Sequence, residues 1–504
     1  MEKQFGAKMF GEVEISGVRA KVPFLEPNLC GDTDSYKLFH ELMEPKDTTG
    51  GFDYFAPRSK NEMLNFFGLQ PLIMHKLINN PVTKGDIEEM VDLVPRHILG
   101  GRQFVRKGWD KIVNVYGGYA PLHIRALKEG VIIPSNNAMF TVQSTDDEMA
   151  WLPGYIEPWM ERMWSTVTAG TKAWRVKQLA LKYLTLTCED PDSVIDHMVH
   201  DFGCRGADSE ESAALVGGAI LQHFKGTDTI PALRMCAKYY AIKCAGGSVV
   251  ATEHSVMGAL GPEGEEEMWN GVWDTFATPG GVVSIVGDTY SIMRAVTKIV
   301  RGMRDKVMAS GCRLVIRPDS SKNVEHTCQI IEDILVELAK IFGSRTNSKG
   351  CEVLKDCVRV LWGDGNNEVT LDTIMSYLMF KGWSVENMIF GIGGEWHSNQ
   401  IRDTHKCAYK SSAQKREETW YDVYKDPDTD PGKVSYRGIV STYLFGNEVA
   451  TLRRSQADSP IKAHRCPPII DLMEDVYYNG ELKRFQTFDE IRELTLTPYY
   501  KAVN

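Results

Sequence analysis

From about residue 195 to 395, short apolar, β-branched runs alternate with longer stretches in which apolar residues recur at three and four positions. The first pattern suits buried strands and the second suits helices that lay one apolar stripe on a sheet, so their alternation predicts βα units in a parallel sheet or barrel. The clearest strands are "GGVVSIVGD", "CRLVIRPDS", "VRVLWGDG" and "ENMIFGIGG"; the clearest helices are "YSIMRAVTKIVRGMRDKVMA" and "VEHTCQIIEDILVELAKIF". Outside this block the pattern changes. Residues 30–145 mix helices with strand candidates such as "PLHIRALKEGVIIP" and "AMFTVQST", residues 148–187 are strongly helical, and residues 435–504 read as short strands and turns. A chain of 504 residues exceeds what one hydrophobic core usually supports. The expected architecture is α/β: an irregular parallel α/β barrel over 148–397, and a second α+β domain built from both chain ends, 1–147 with 398–504.

Each predicted barrel strand ends in glycine plus charge: "HDFGCRG", "FKGTDT", "TEHS", "VGDTY", "IRPDS", "WGDG" and "FGIGG". In a parallel barrel the C-terminal strand ends converge on one face, where catalytic residues sit. A capping Asp or a turn Gly explains any one cluster alone. Their recurrence at equivalent places marks a site. Glycines in "GDG" and "GIGG" let backbone N–H groups approach a phosphate. Asp288, Asp319 and Asp364 suit sugar hydroxyls or the water shell of Mg²⁺. Phe202 offers an aromatic face, and Arg205 a planar fork of donors. The combination points to a phosphorylated sugar carrying a diphosphate, with a flat heterocycle beside it. The Asp-Phe-Gly triplet is not that of a kinase, whose Gly-rich loop, Val-Ala-Ile-Lys strand and His-Arg-Asp are all missing.

Charge and cysteine content narrow the partners. Lys and Arg number 57 against 67 Asp and Glu, a net charge of -10 with no basic block, so nucleic acid is not an expected partner. The 11 cysteines are scattered and form no Cys-x-x-Cys pair, which argues against a disulfide framework or a structural zinc and fits a reducing cytosol. Neither a signal-peptide core nor an apolar run of about 18 residues occurs, so the expectation is a cytoplasmic protein with no membrane partner.

In their order and spacing, "TDSYK", "HDFGCRG", "FKGTDT", "EHS", "IRPDS", "GDG" and "KDPDTDPGK" resemble the nicotinamide phosphoribosyltransferases, from about residue 30 to near the C-terminus. The resemblance implies a homodimeric type II phosphoribosyltransferase of NAD salvage. Nicotinamide would attack the anomeric carbon of phosphoribosyl pyrophosphate (PRPP), giving nicotinamide mononucleotide and pyrophosphate, in a site shared across the dimer. It implies a pyridine ring held between Phe202 and the other subunit's counterpart of Tyr36, with Asp34 positioning the Tyr36 loop. Arg317 and Asp228 would bind the amide, and a carboxylate at 228 would repel nicotinic acid. Arg58, Arg205, Arg402, Lys410, Lys425 and Lys433 match phosphate-binding positions. Ser248, Ser284, Asp288, Asp319, Gly363, Asp364, Gly393 and Gly394 match the ribose, phosphate and magnesium pocket, Asp288 and Asp319 holding Mg²⁺ through water and Ser284 also facing the nicotinamide. His254 matches a histidine that ATP phosphorylates, and with Arg317 and Asp319 completes the implied catalytic set. Two departures stand out, Ser321 where the family has Gly and Ala408 where it has Ser. About twenty residues precede the family's usual start.

Two readings compete with this one, a nicotinate phosphoribosyltransferase and a non-catalytic binding or signalling protein on the same scaffold. Other patterns are decoys. Asp426, Asp428 and Asp430 mimic a calcium loop, but Pro431 and Arg437 stand where an EF-hand needs Gly and Glu. His197 and His200 have metal-ligand spacing for a helix but no evident third ligand.

Overall fold

The computed structural model describes residues 27–429, 434–457 and 469–496, so Lys433, Asp430, Pro431 and most of the N-terminal extension lie outside the described residues. The chain forms two compact units, one of residues up to Val167 together with those from Ile401 on, the other Thr168–Gln400. The division falls inside the helix Met163–Thr187.

In the second unit seven strands pair in parallel: Val199–Asp201, Gly226–Thr227, Val250–Ala251, Val282–Val286, Arg313–Arg317, Val358–Trp362 and Met388–Ile392. The last pairs back onto the first, Phe390 opposite Val199 and Ile392 opposite Asp201. The sheet therefore curls as a half-barrel, and Gly226 of one edge strand makes a parallel bridge to Gly247, which precedes the other edge strand. Val283, Ile285, Leu314, Ile316, Val360, Phe390 and Ile392 are fully buried. Each such side chain contributes roughly 1.5–3 kcal/mol by leaving water, which is why these strands read as continuous apolar runs. Asn323 starts the helix Val324–Phe342 by accepting the His326 N–H at 2.9 Å, and Ile331, Ile334, Leu335, Leu338 and Ile341 form its buried stripe. The expected helix at 290–309 runs from Ile292 to Ser310, with a π-helical turn over Ala295–Val300.

The first unit is built on a seven-stranded sheet whose order interleaves the chain ends: Thr419–Asp422, Cys407–Arg416, Thr48–Pro57, Phe140–Ser144, Leu122–Ala126, Glu474–Tyr478 and Glu481–Leu482. All pairs are antiparallel, with Tyr54 opposite Lys410 and Ala56 opposite Ala408. The C-terminal region corrects the reading as strands and turns alone, because Phe488–Leu496 is a helix with Phe488 and Ile491 buried. Its signal is a capping box: Thr487 donates its N–H to Glu490 Oε2 at 2.7 Å, and its hydroxyl accepts the Glu490 N–H at 3.3 Å. Among the described residues no helix is long and apolar enough to cross a membrane.

Candidate active site

The Asp-Phe-Gly turn closes the strand Val199–Asp201. Asp201 is buried, and its Oδ1 accepts the Gly203 N–H at 2.9 Å and faces Nε2 of buried His397 at 2.9 Å. Phe202 donates its backbone N–H to the Ile392 carbonyl at 2.9 Å. Two glycines are required by close approach: a Cβ at Gly391 would overlap the Phe202 ring, and one at Gly203 would overlap the His397 ring. The Arg317 guanidinium stands 5.6 Å from the centroid of the Phe202 ring, within cation–π range.

Arg317 ends its strand and grips Asp319 with both arms of its fork, Nε to Oδ1 at 3.3 Å and Nη2 to Oδ2 at 2.9 Å. The Asp319 N–H donates to Asp288 Oδ2 at 3.0 Å, and Asp288 Oδ1 lies 3.0 Å from His254 Nε2. A connected chain thus runs from Arg317 through Asp319 and Asp288 to His254, across three strand ends. Nearby, the Ser248 hydroxyl donates to Asp228 Oδ1, and the Asp228 N–H to the Asp201 carbonyl at 2.9 Å.

A cavity of about 880 Å³ opens over these strand ends, lined by Phe202, Arg205, Asp228, Arg317 and Asp319, and by Gly363, Asp364, Gly393 and Gly394 of the two glycine turns. Arg205 is exposed and makes no ion pair among the described residues. His254, Asp288 and Ser248 connect to this wall by hydrogen bonds, the first two through Asp319 and Ser248 through Asp228. Ser284 does not line this cavity: it lies inside Val282–Val286, 2% exposed, and its carbonyl accepts the N–H of Thr252, which does line it, at 3.0 Å.

The cavity also holds residues that the sequence reading missed, among them Glu253, Asn366, Asn367, Glu395 and Asn399. Asn366, 4% exposed, donates to the Trp362 carbonyl at 2.9 Å and the Gly391 carbonyl at 2.8 Å, tying the "GDG" turn to the strand beneath Phe202. Asn367 caps the helix Glu368–Phe380, accepting the N–H groups of Val369 and Thr370. A capping Asn ahead of a helical apolar pattern is legible in sequence. The reach of Asn366 to Gly391 is not.

Burial raises the Asp364 carboxyl above the ordinary range, and the neighbouring Asp319 and Asp288 raise it further. Its folded pKa therefore lies above the unfolded one, so ionisation costs stability as pH rises through the folded value, and nothing is lost below both. Asp364→Asn is expected to raise the melting temperature at pH 7 while lowering activity, with the gain shrinking as pH falls towards 4. Melting curves across that range check it, and a gain that persists at low pH would refute it. Among the described residues no three His, Cys, Asp or Glu side chains are grouped to hold a metal ion. The negative field that raises Asp364 nonetheless fits hydrated Mg²⁺, which keeps its waters and needs only one or two carboxylates.

The remaining candidates lie in the other unit. Tyr36, 60% exposed, follows Asp34 on a 3₁₀ turn, Ser35–Leu42. Lys37 pairs with Glu157, which Lys410 also approaches at 3.4 Å. Arg402 pairs with Asp403 at 3.1 Å and lies 3.7 Å from Glu161, whose carboxyl is raised mainly by burial. Arg58 is held at its backbone by the His405 carbonyl at 3.0 Å, and Lys425 is exposed. Of the two departures, Ala408 is buried in its strand, and the Ser321 hydroxyl meets Thr327 Oγ1 at 2.7 Å in the first turn of the following helix. His200 sits in a strand, not a helix, and burial lowers its pKa.

Comparison with known proteins agrees with this geometry. Residues 197–460 match the nicotinate phosphoribosyltransferase (NAPRTase) family, and residues 28–124 match the nicotinamide phosphoribosyltransferase N-terminal domain. The chain is 38% identical over 467 residues to a nicotinamide phosphoribosyltransferase of Xanthomonas campestris pv. campestris, covering 92% of this chain and 97% of that protein. It is 29% identical to the nicotinamide phosphoribosyltransferase of Acinetobacter baylyi, over 91% and 95% of the two chains. Among solved structures it is similar to nicotinate-nucleotide pyrophosphorylase from Pyrococcus furiosus, with a TM-score of 0.57 at 16% identity, covering 94% of this chain and 97% of that one. Human nicotinic acid phosphoribosyltransferase gives a TM-score of 0.53 at 12% identity, over 92% and 93%. At such identities those two likenesses are of fold. The Xanthomonas relative, matched nearly end to end, carries more: the chain is a phosphoribosyltransferase and belongs to the nicotinamide branch of the nicotinate and nicotinamide phosphoribosyltransferase family.

Proposed function

We propose that the chain transfers the phosphoribosyl group of PRPP to nicotinamide, giving nicotinamide mononucleotide and pyrophosphate. The observation that carries this reading is one cavity wall that presents the Phe202 ring, the Arg317 guanidinium and the Asp228 carboxylate. The ring takes the pyridine face, Arg317 donates to the amide oxygen, and Asp228 accepts from the amide nitrogen. Nicotinic acid has no N–H to offer and carries a charge that Asp228 repels.

The pyridine nitrogen attacks the anomeric carbon with its own lone pair, and the bond to pyrophosphate breaks with its electrons on the leaving oxygen. No general base is required, so catalysis rests on positioning and on stabilising charge. Arg205 and the glycine turns at Gly363 and at Gly393–Gly394 hold the phosphates. Asp288 and Asp319 would hold a hydrated Mg²⁺, which would supply positive charge for the leaving group. His254 takes the phosphoryl group of ATP: a Nε2–H turned to Asp288 leaves Nδ1 its lone pair for attack on the γ-phosphorus, with ADP departing. The functional unit is a homodimer in which exposed Tyr36 and the cations Arg58, Arg402, Lys410 and Lys425 serve the site of the other subunit.

The test is product formation from PRPP and Mg²⁺ with nicotinamide or nicotinic acid in parallel, with and without ATP. Nicotinamide mononucleotide from nicotinamide alone, made faster with ATP, is the expected result. Turnover of nicotinic acid would overturn the substrate reading, and turnover of neither would overturn the catalytic one.

A further inference from the structure

Glu395 lines the cavity next to Gly394, where a free carboxylate would oppose an anionic ligand. The structure shows what restrains it. Lys172, on the helix Met163–Thr187, donates from Nζ to Glu395 Oε1 at 2.7 Å, to the Glu395 carbonyl at 3.0 Å and to the Asn399 carbonyl at 2.8 Å. Asn399 Nδ2 donates to Glu395 Oε2 at 2.5 Å. Both carboxylate oxygens are thereby engaged, and an ammonium with three protons has three acceptors. The ion pair is largely withdrawn from water, its side chains 18% and 22% exposed.

The Arg205 turn packs against this same segment, since a Cβ on Gly206 would stand 3.4 Å from Gly394 Cα. Arg205 has no carboxylate partner among the described residues, and Glu395 follows Gly394, the residue that its neighbour Gly206 approaches. Resting on the phosphoribosyl reading above, we propose that Lys172 is a positioning residue for the phosphate end of the cavity. Its ion pair keeps Glu395 from competing with the diphosphate for Arg205, and its two carbonyl contacts hold the 395–399 turn that follows the Gly393–Gly394 pair. Removing the ammonium would leave Glu395 half-buried without its cation, and such a carboxylate takes the nearest positive charge available.

The test compares Lys172→Met, Glu395→Gln and the double variant by KM for PRPP, KM for nicotinamide, and calorimetric binding of inorganic pyrophosphate with Mg²⁺. Lys172→Met is expected to weaken PRPP and pyrophosphate about tenfold, the scale of a lost hydrogen bond to a charged group. Nicotinamide KM should stay within about twofold, since the ring subsite lies with other residues. Adding Glu395→Gln should restore most of the loss, because the released carboxylate is then gone. A double variant as poor as Lys172→Met, or a parallel rise in both KM values, would overturn the proposal. Should Lys172→Met not fold, Glu395→Gln alone decides: PRPP binding equal to or tighter than wild type is expected, and weaker binding refutes the role. Wild-type protein that neither uses PRPP nor binds pyrophosphate would overturn the phosphoribosyl reading and this proposal with it, a result distinct from any pattern among the variants.

Discussion

Asp319→Ala is expected to lower kcat/KM by about 10³-fold, the scale on which loss of one preorganised charge-stabilising group is felt, and to leave the fold intact. Asp319 occupies the junction of the site. Its carboxylate fixes both arms of the Arg317 fork, while its backbone N–H holds Asp288, which in turn faces His254. Truncation frees Arg317 to turn away from the Phe202 ring and removes a carboxylate from the cavity wall. The side chain is one-fifth exposed but small and polar, so little apolar packing is lost. Steady-state kinetics with thermal melts check this, and a loss under about tenfold with an unchanged melt would remove Asp319 from the catalytic set.

The second large effect concerns choice of substrate. Asp228→Asn is expected to lower the preference for nicotinamide over nicotinic acid by about 10²-fold, because a charge or hydrogen-bond mismatch that the bound ligand covers is worth roughly 1–3 kcal/mol. Asn keeps an oxygen that can accept from the amide and removes the charge that repels a carboxylate. Most of the change should therefore appear as a gain for nicotinic acid. Asp228→Ala removes both the charge and the acceptor, so nicotinamide should weaken as well. Equal losses for both substrates in the Asn variant would mean that Asp228 acts on something other than the amide. The Ser248 hydroxyl, which donates to Asp228, remains in place to hold the Asn oxygen.

The legible part of this site is the part carried by local pattern. Strand ends are marked by a switch from apolar alternation to glycine and charge, and Phe202, Asp228, Arg317, Asp319, Asp364 and the two glycine turns all fall at such switches and all line one cavity. Residues whose role depends on partners far along the chain carry no such mark. His397 reads as one more polar residue in a helical stretch until the fold sets it against Asp201, which is 196 positions away. Lys172 reads as a solvent-facing lysine on a long helix, and only the tertiary contact with a residue 223 positions away reveals the pair with Glu395. Ser284, which the resemblance placed in the site, is buried in its strand and is paired with Ala251, a residue that does line the cavity.

By itself the sequence determined the alternating architecture of the Thr168–Gln400 unit, because buried parallel strands and amphipathic helices each impose a period on apolar residues that survives without tertiary context. It also offered the candidate residues, since the motifs set out in order an aromatic face, a donor fork and acidic residues that line one cavity. Tertiary structure alone decided that Thr48–Pro57 pairs with Cys407–Arg416 across some 350 residues, a choice set by sheet register and burial rather than by any local signal. It decided equally which distant charges meet, setting Asp288 against His254 and the Asp319 N–H, and Lys172 against Glu395. Charge pairing is a property of distance in space, and distance along a chain does not encode it.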